Sequence, residues 1–430
     1  MKKVLIITYY WPPAGGPGVQ RMLKFARYLP EFGWEPVILT VKNGEYPARD
    51  ETLLSEIPGN IRVYRTRCFE PFSLYKNFSG DRKDQTIPVG VLAQKDLSFR
   101  KKIAKCIRLN LIIPDAKKWW KLTAVKAGGK IIRDEKPDLI FSSSPPPSVH
   151  LIARKLAKKN HLPWIADLRD PWSKIHYYYK NRTGIISRLD AALERRTLSD
   201  ARRVVTVSKN FGDLIECDKN KLELIPNGFD PADFENVETA NRDNARFVIS
   251  YVGGLNENRY YPEFFRGLRD FATDNKLKKT DIKLCLAGKI QGKYINDIRD
   301  ILSSKVLLEV KGYVPHRDAI RIMKDSDLLL LFMEKAGNYS GHIPGKLFEY
   351  LATGNYILGA GSKEGSAQEI LRQGRAGRIL GKEDDYKNAI AGMYKKWENG
   401  KLHGAGAAFT EKFSRKTLTG HLAEVFKDEQ

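Results

Sequence analysis

Ile343-Pro344-Gly345-Lys346-Leu347-Phe348-Glu349-Tyr350, continuing into Leu351-Ala352-Thr353-Gly354, is the stretch on which the reading of the fold turns. A proline and a glycine open a short helix here, and Lys346 stands in its first turn. Such an opening directs free backbone N–H groups and one ammonium at a single point, which suits a bound phosphate. Glu349 lies one turn further on, where a carboxylate accepts hydrogen bonds from a sugar diol. One short helix therefore offers a diphosphate position beside a ribose position, the nucleotide end of a sugar-nucleotide enzyme.

Working outward, strand-like and helix-like segments alternate along the whole chain. Val4–Thr8, Pro36–Val41, Asp138–Ser142, Pro163–Asp167, Arg203–Ser208 and Lys221–Ile225 read as strands. Val19, Met22, Leu23, Ala26 and Leu29 make one apolar helix face between the first two. After the polar stretch Asp230–Asn244 the alternation restarts, with strands at Phe247–Val252, Ile282–Ala287, Val306–Lys311, Leu328–Met333 and Tyr356–Gly359. Helical patterns at Glu263–Thr273, Ile295–Ser304, Arg317–Lys324, Lys346–Thr353 and Ala367–Arg372 fill the gaps. Near-continuous apolar strands separated by helices predict an α/β fold of two parallel-sheet domains, with ligands at the carboxyl ends of strands facing a central cleft. The expected division is residues 1–229, residues 230–410, and a terminal helix within 411–430 (from Glu411 to Lys427) returning to the first domain.

A length of 430 residues and 42% hydrophobic content suit two buried cores. Cys68, Cys106, Cys217 and Cys285 are widely spaced, the pattern of reduced thiols in a cytosolic protein. Met1–Thr8 starts with lysines, but its apolar run is short and Pro12-Pro13 follow, so it reads as a buried strand and not a secretion signal. A net charge of +23 calls for an anionic partner. Part of the excess is local: residues 95–136 hold 13 Lys/Arg against 4 Asp/Glu, a net of +9. Phe99, Ile103, Cys106, Ile107 and Leu111 fall at helical spacing there, and Trp119-Trp120 lie among Lys117, Lys118 and Lys121. That composition fits an anionic membrane surface. It fits equally a solvated helix face over a core. Nucleic acid is not expected.

The glycine-rich loop Ala14-Gly15-Gly16-Pro17-Gly18 follows the first strand and precedes a helix. It suits close approach of a ligand, or a turn needing positive φ. Gly253-Gly254 end the first strand of the second half and Arg259 follows five residues later, a guanidinium placed to pair with a diphosphate. Asp167-Leu168-Arg169-Asp170-Pro171-Trp172 leaves a buried strand with three charged residues. These either pair among themselves or face a ligand, with Asp170 or Asp167 orienting a sugar. His342 adjoins the lysine helix and could touch a phosphate or be an ordinary loop residue. Asp325-Ser326-Asp327 has the spacing of a metal-binding D-x-D, but its place before Leu328-Leu329-Leu330-Leu331 marks a polar turn. No histidine pair has metal spacing.

These motifs resemble the GT-B glycosyltransferases of family 4. The resemblance rests on Gly15-Gly16, Arg169-Asp170-Pro171-Trp172, Pro226-Asn227-Gly228-Phe229-Asp230 and the Lys346–Tyr350 helix. It implies two Rossmann-like domains and transfer of a sugar from a UDP- or GDP-linked donor to a glycan or polyprenyl-linked acceptor. Retention of configuration, no cofactor and no metal go with it. By position, Glu349 would bind the ribose, and Arg259 with Lys346 the diphosphate. Gly15, Gly16, Gly253, Gly254, His342 and Leu347 would complete the donor site, with Asp170 beside the reacting sugar. Gly341 stands where many members have a glutamate, eight residues before Glu349, and Tyr260-Tyr261-Pro262 where a lysine is usual. A nucleotide-sugar epimerase of the same fold and a non-enzymatic anion- or nucleic-acid-binding protein are the alternatives.

Overall fold

The computed structural model describes residues 1–69, 109–110, 112–175, 181–239, 245–335 and 340–429. The helical pattern read from Phe99 to Leu111 lies outside the described residues. Two compact units form: Met1–Pro226 with Arg415–Gln430, and Asn227–Ser414.

In the first unit the elements are β1 (Lys2–Thr8), α1 (Pro17–Tyr28), β2 (Trp34–Val41), β3 (Arg62–Thr66), α2 (Trp120–Glu135) and β4 (Leu139–Ser144). There follow α3 (Ser148–Asn160), β5 (Trp164–Leu168), α4 (Gly184–Leu198), β6 (Arg203–Thr206), α5 (Lys209–Leu214) and β7 (Leu222–Leu224). All strands are parallel, in the order β3-β2-β1-β4-β5-β6-β7. Val4, Leu5, Ile6 and Ile7 are wholly buried, so the short apolar start of the chain is the centre of this sheet. The order reverses between β1 and β4. The ends of those strands, with the loop to α1, are where such sheets bind ligands.

The second unit contains β8 (Phe247–Val252), α6 (Pro262–Asp274), β9 (Ile282–Ala287), α7 (Gly292–Leu302), β10 (Leu307–Gly312) and α8 (His316–Lys324). It continues with β11 (Leu328–Phe332), α9 (Gly345–Thr353), β12 (Tyr356–Ala360), α10 (Ser366–Gln373), β13 (Gly377–Leu380), α11 (Tyr386–Glu398) and α12 (Ala407–Thr410). Its parallel order is β10-β9-β8-β11-β12-β13, with the switch between β8 and β11. The loop from β11 leads to α9, so the switch point and the lysine helix share one sheet edge. A last helix, α13 (Arg415–Lys427), belongs to the first unit, where Phe426 packs edge-on against Trp34 and Phe141 at 5.2 and 5.3 Å.

Three details differ from the sequence reading. The expected linker at Asp230–Asn244 begins inside the second unit: the Phe229 N–H donates to the Phe413 carbonyl at 3.1 Å, and Asp230 caps the 3-10 turn Pro231–Asp233. Trp120 is a core residue, not half of a lipid-facing pair. Its indole N–H donates to Thr66 Oγ1 at 2.8 Å and its ring meets Tyr9 edge-on, so only Trp119 reaches solvent. Strands β3 and β13 and helix α11 were not anticipated. Both strands are short edges, where alternating charge (Arg62-Val63-Tyr64-Arg65) or small size (Gly377-Arg378-Ile379-Leu380) hides the strand signal. As the sequence indicated, Asp325-Ser326-Asp327 is a turn: Asp327 accepts from the Val248 N–H at 2.8 Å and Ser326 bonds Ser250 at 2.7 Å. Among the described residues no helix is long and apolar enough to cross a membrane.

The charge brought in by β5 is closed by α1. Arg21 grips Asp167 through Nη2 at 2.8 Å and Nε at 3.3 Å, and Ser143 on β4 donates to the same carboxylate at 2.6 Å. Arg21 Nη1 also donates to the Pro226 carbonyl at 2.8 Å. Both charged side chains are fully buried. Removing one partner of such a pair strands the other charge and costs about 3–5 kcal/mol. Arg21→Ala should therefore lower the melting transition of the first unit sharply. Calorimetry on the full chain should show the second unit's transition unmoved.

Candidate functional site

Helix α9 starts without a capping side chain and without an acidic residue in its first turn. The Gly345 and Lys346 amides, which have no hydrogen-bond partner among the described residues, are thus open to an external anion. Leu347, Phe348, Tyr350 and Leu351 turn the opposite face into the core. Tyr350 pins the helix to the end of β8: its hydroxyl accepts from the Val252 N–H at 3.1 Å and donates to the Val252 carbonyl at 3.3 Å. That fixes Lys346. Its ammonium lies 3.9 Å from the centre of the Tyr251 ring and 3.4 Å from the Val252 carbonyl oxygen. A Cβ on Gly253, whose φ is +140°, would lie 3.0 Å from Lys346 Nζ. The first glycine of the pair therefore makes room for the lysine.

No carboxylate is within ion-pair distance of Lys346 among the described residues. Burial lowers its pKa, with Arg259 nearby pushing the same way and Glu349 opposing, to about 7. Arg259 ends the 3-10 turn Glu257–Arg259, which Asn256 caps. Its Nη2 donates to Glu334 at 2.7 Å. Glu349 lies 4.0 Å from His316 Nε2, and His316 is 3.4 Å from Asp233. Gly254, Asn256, Arg259, Lys289 and Tyr313 line a recess of about 530 Å³ beside this cluster. A second recess of about 680 Å³ is lined by Glu334, Lys335, Ser340, His342, Gly361 and Gln368, among others.

The structure thus gathers Gly253, Gly254, Arg259, Lys346 and Glu349 at one edge of the second sheet. His342 lies on the Glu334 side. Leu347 is corrected: its side chain is wholly buried and its amide donates to the Pro344 carbonyl at 2.9 Å, so it holds the core and not a ligand. Gly15, Gly16 and Asp170 belong to the first unit. The Gly15 amide donates to Ala48 at 3.0 Å and serves the loop; Gly16, at φ +105°, is the N-cap of α1. Asp170 is half-buried at the end of β5. Of the two readings of this charged segment, pairing among its own residues or facing a ligand, the direct hydrogen bonds of Asp167 go to Arg21 and Ser143, while Asp167 and Asp170 act on Arg169 only through their charge. Sequence reasoning missed Tyr251 as the seat of the lysine, Glu334 as the partner of Arg259, and His316. Glu334 carried the same signal as Arg169 and Asp170: a charged residue just past a buried strand.

Residues 87–233, about a third of the chain, match the family model described as Glycosyltransferase Family 4. No curated protein sequence matches the chain. Among solved structures it is similar to HepE from Anabaena, crystallised with UDP and glucose, at 14% identity and TM-score 0.58 over 100% of both chains. A glycosyltransferase from Rickettsia africae gives 12% and 0.61, over 100% of this chain and 99% of that one. A protein described as a UDP-N-acetylglucosamine 2-epimerase from Listeria monocytogenes gives 11% and 0.52, over 100% and 96%. At these identities the likenesses establish the fold. The family match adds a likeness confined to residues 87–233.

The lysine carries a pH signature. Between about pH 7 and the ordinary lysine value, the unfolded chain holds a proton that folded Lys346 has released. Its destabilising effect is then complete below pH 7 and fades as the pH rises. Lys346→Met should raise the melting temperature of the second unit at pH 6.5, and the gain should shrink by pH 9.5. Melting curves at the two values check this; an equal gain at both contradicts a depressed pKa.

Proposed function

We propose that this chain is a glycosyltransferase that moves a sugar from a UDP- or GDP-linked donor to a glycan or polyprenyl-linked acceptor, with retention of configuration and without a metal. The observation that carries the reading is the enclosed Lys346 ammonium at the uncapped start of α9, with Arg259 near and Glu349 one turn along. As the glycosidic bond breaks, negative charge builds on the departing diphosphate. Lys346, the first-turn amides of α9 and the Arg259 nitrogens not engaged by Glu334 are donors already fixed for that charge, so they act more strongly on the transition state than on the ground state. Glu349 would take the ribose hydroxyls. Of the groups in the first unit, Asp170 would orient the sugar or acceptor. The excess of basic residues over 95–136 supports a peripheral place at the inner face of a membrane and a role in polysaccharide assembly.

Lys346→Ala should lower the transfer rate about 100-fold and Arg259→Ala about tenfold or more, in line with loss of one fixed donor to a developing anion. Transfer by both variants at the wild-type rate contradicts the assignment. A bound diphosphate should also restore the proton to Lys346. Titration calorimetry at pH 8 in buffers of different ionisation enthalpy should show uptake of close to one proton with UDP or GDP, and Lys346→Arg should abolish it.

A further inference from the structure

Among the described residues ten large apolar side chains are exposed, and five of them, Phe69, Trp119, Leu122, Ile185 and Leu189, gather at one end of the first unit. Helices α2, α3 and α4 pack side by side, and each starts at the carboxyl ends of the strands. Trp119 and Leu122 open α2. Phe69 is beside them, since Thr123 on α2 donates to the Arg67 carbonyl. Ile185 and Leu189, 72% and 55% exposed, stand four apart on the first turns of α4. The helix starts are stitched together. Arg182, just before α4, donates to the Leu109 and Pro114 carbonyls at 2.9 and 2.7 Å, and Asp115, just before α2, accepts from the Ser148 amide of α3 at 2.8 Å. Around these apolar groups the exposed charge is all positive. Both acids of α4 turn inward: Asp190 accepts from the Trp172 indole at 3.0 Å and Glu194 from the Ser173 amide at 3.1 Å. Along α2 no acid occurs before Asp134. Arg67, Lys118, Lys121 and Arg188 have no ion-pair partner among the described residues. Burial, and then the charges of Lys155 and Arg154, lower the Lys121 pKa, as expected where cations crowd without an anion.

We infer that the starts of α2 and α4, with Phe69, form a surface that docks on an anionic lipid bilayer. Single exposed hydrophobics need no explanation, but these are grouped, and Arg188 and Lys121 stand between them without an acid. Apolar side chains of this kind enter the headgroup region while the lysines and arginines beside them reach lipid phosphates. A second copy of the chain fits less well, because a face without acids meets its own cations. Nucleic acid would engage the cations and leave Leu122, Ile185 and Leu189 in water. The surface lies at the carboxyl ends of the first sheet, the edge where such sheets bind ligands, so docking brings the bilayer to the side from which a lipid-linked acceptor enters. The inference rests on the membrane placement proposed above and adds the surface that achieves it; α4 lies wholly outside the basic stretch 95–136 on which that placement stands.

The test is co-sedimentation of the full chain with vesicles of phosphatidylcholine, alone or mixed with phosphatidylglycerol. Wild-type protein should bind the mixed vesicles about tenfold or more tightly than the neutral ones, and added salt should weaken that binding. Ile185→Glu combined with Leu189→Glu, and separately Leu122→Glu, should each weaken it about tenfold or more. Val310→Glu, the same change at an exposed apolar residue of the second unit, should stay within about two-fold. All the substituted side chains are exposed, so wild-type melting curves should confirm that the variants fold. Unchanged binding in both α2 and α4 variants overturns the surface and leaves the membrane placement to residues 95–136. An equal loss in all three variants, Val310→Glu included, overturns it as an effect of net charge. Equal binding to both vesicle types overturns the anionic partner. Failure of the wild type to bind either vesicle overturns the surface and the membrane placement together, while the transfer assay on Lys346 still decides the enzymatic reading. A wild-type dimer in sedimentation velocity that the α4 double variant dissolves gives the face to a second copy and overturns the inference.

Discussion

An ammonium held in protein without a counter-anion is the constraint around which the second unit is arranged. Isolated cations are expelled from low dielectric or lose their proton, and a pKa of about 7 places Lys346 at that boundary. Three features keep it in place. The Tyr251 ring offers its electron-rich face, the Val252 carbonyl offers an oxygen, and Gly253 leaves the volume empty. None of these neutralises a charge. The arrangement holds the ammonium in place and leaves its charge uncompensated by any carboxylate among the described residues.

The Tyr350 hydroxyl explains why the position is exact enough to matter. It closes on both the N–H and the carbonyl of Val252, tying the second turn of α9 to the strand end on which Lys346 rests. The two hydrogen bonds fix the helix start relative to the strand end, and with it the place of the lysine beside the tyrosine face. Arg259 is anchored differently, through Glu334 across from it, and keeps part of its donor fork for a ligand. One cation is held by shape and the other by charge.

Much of this was legible in the sequence because buried parallel strands announce themselves. Val4–Ile7 and Leu328–Leu331 are apolar without interruption, and both lie at the centre of their sheets. The start of α9 was legible too, since Pro344-Gly345-Lys346 combines a helix start with a cation. Partners could not be read in the same way. Arg21 and Asp167 are 146 positions apart, and Arg259 and Glu334 are 75 apart, so only the folded sheet edge brings them together. Leu347 was misassigned for a related reason: successive helical residues point in different directions, and Lys346 reaches to the end of β8 while Leu347 points into the core.

The two arginines of the first unit show how a fold decides which charge stays available. Arg21 and Arg169 both approach Asp167, and one buried carboxylate can satisfy only one guanidinium through both its oxygens. Arg21 wins because it projects from α1 directly over β5 and can add the Pro226 carbonyl as a third acceptor. Arg169, on the strand itself, has only Ser144 behind it and Gly18 ahead of it. The loser of that competition is the residue left facing the helix start. Had Gly18 carried any side chain, Arg169 would be displaced from the space it fills beside α1. Burial lowers the Arg169 pKa, and the nearby charges of Asp167 and Asp170 oppose that shift without a direct bond to either.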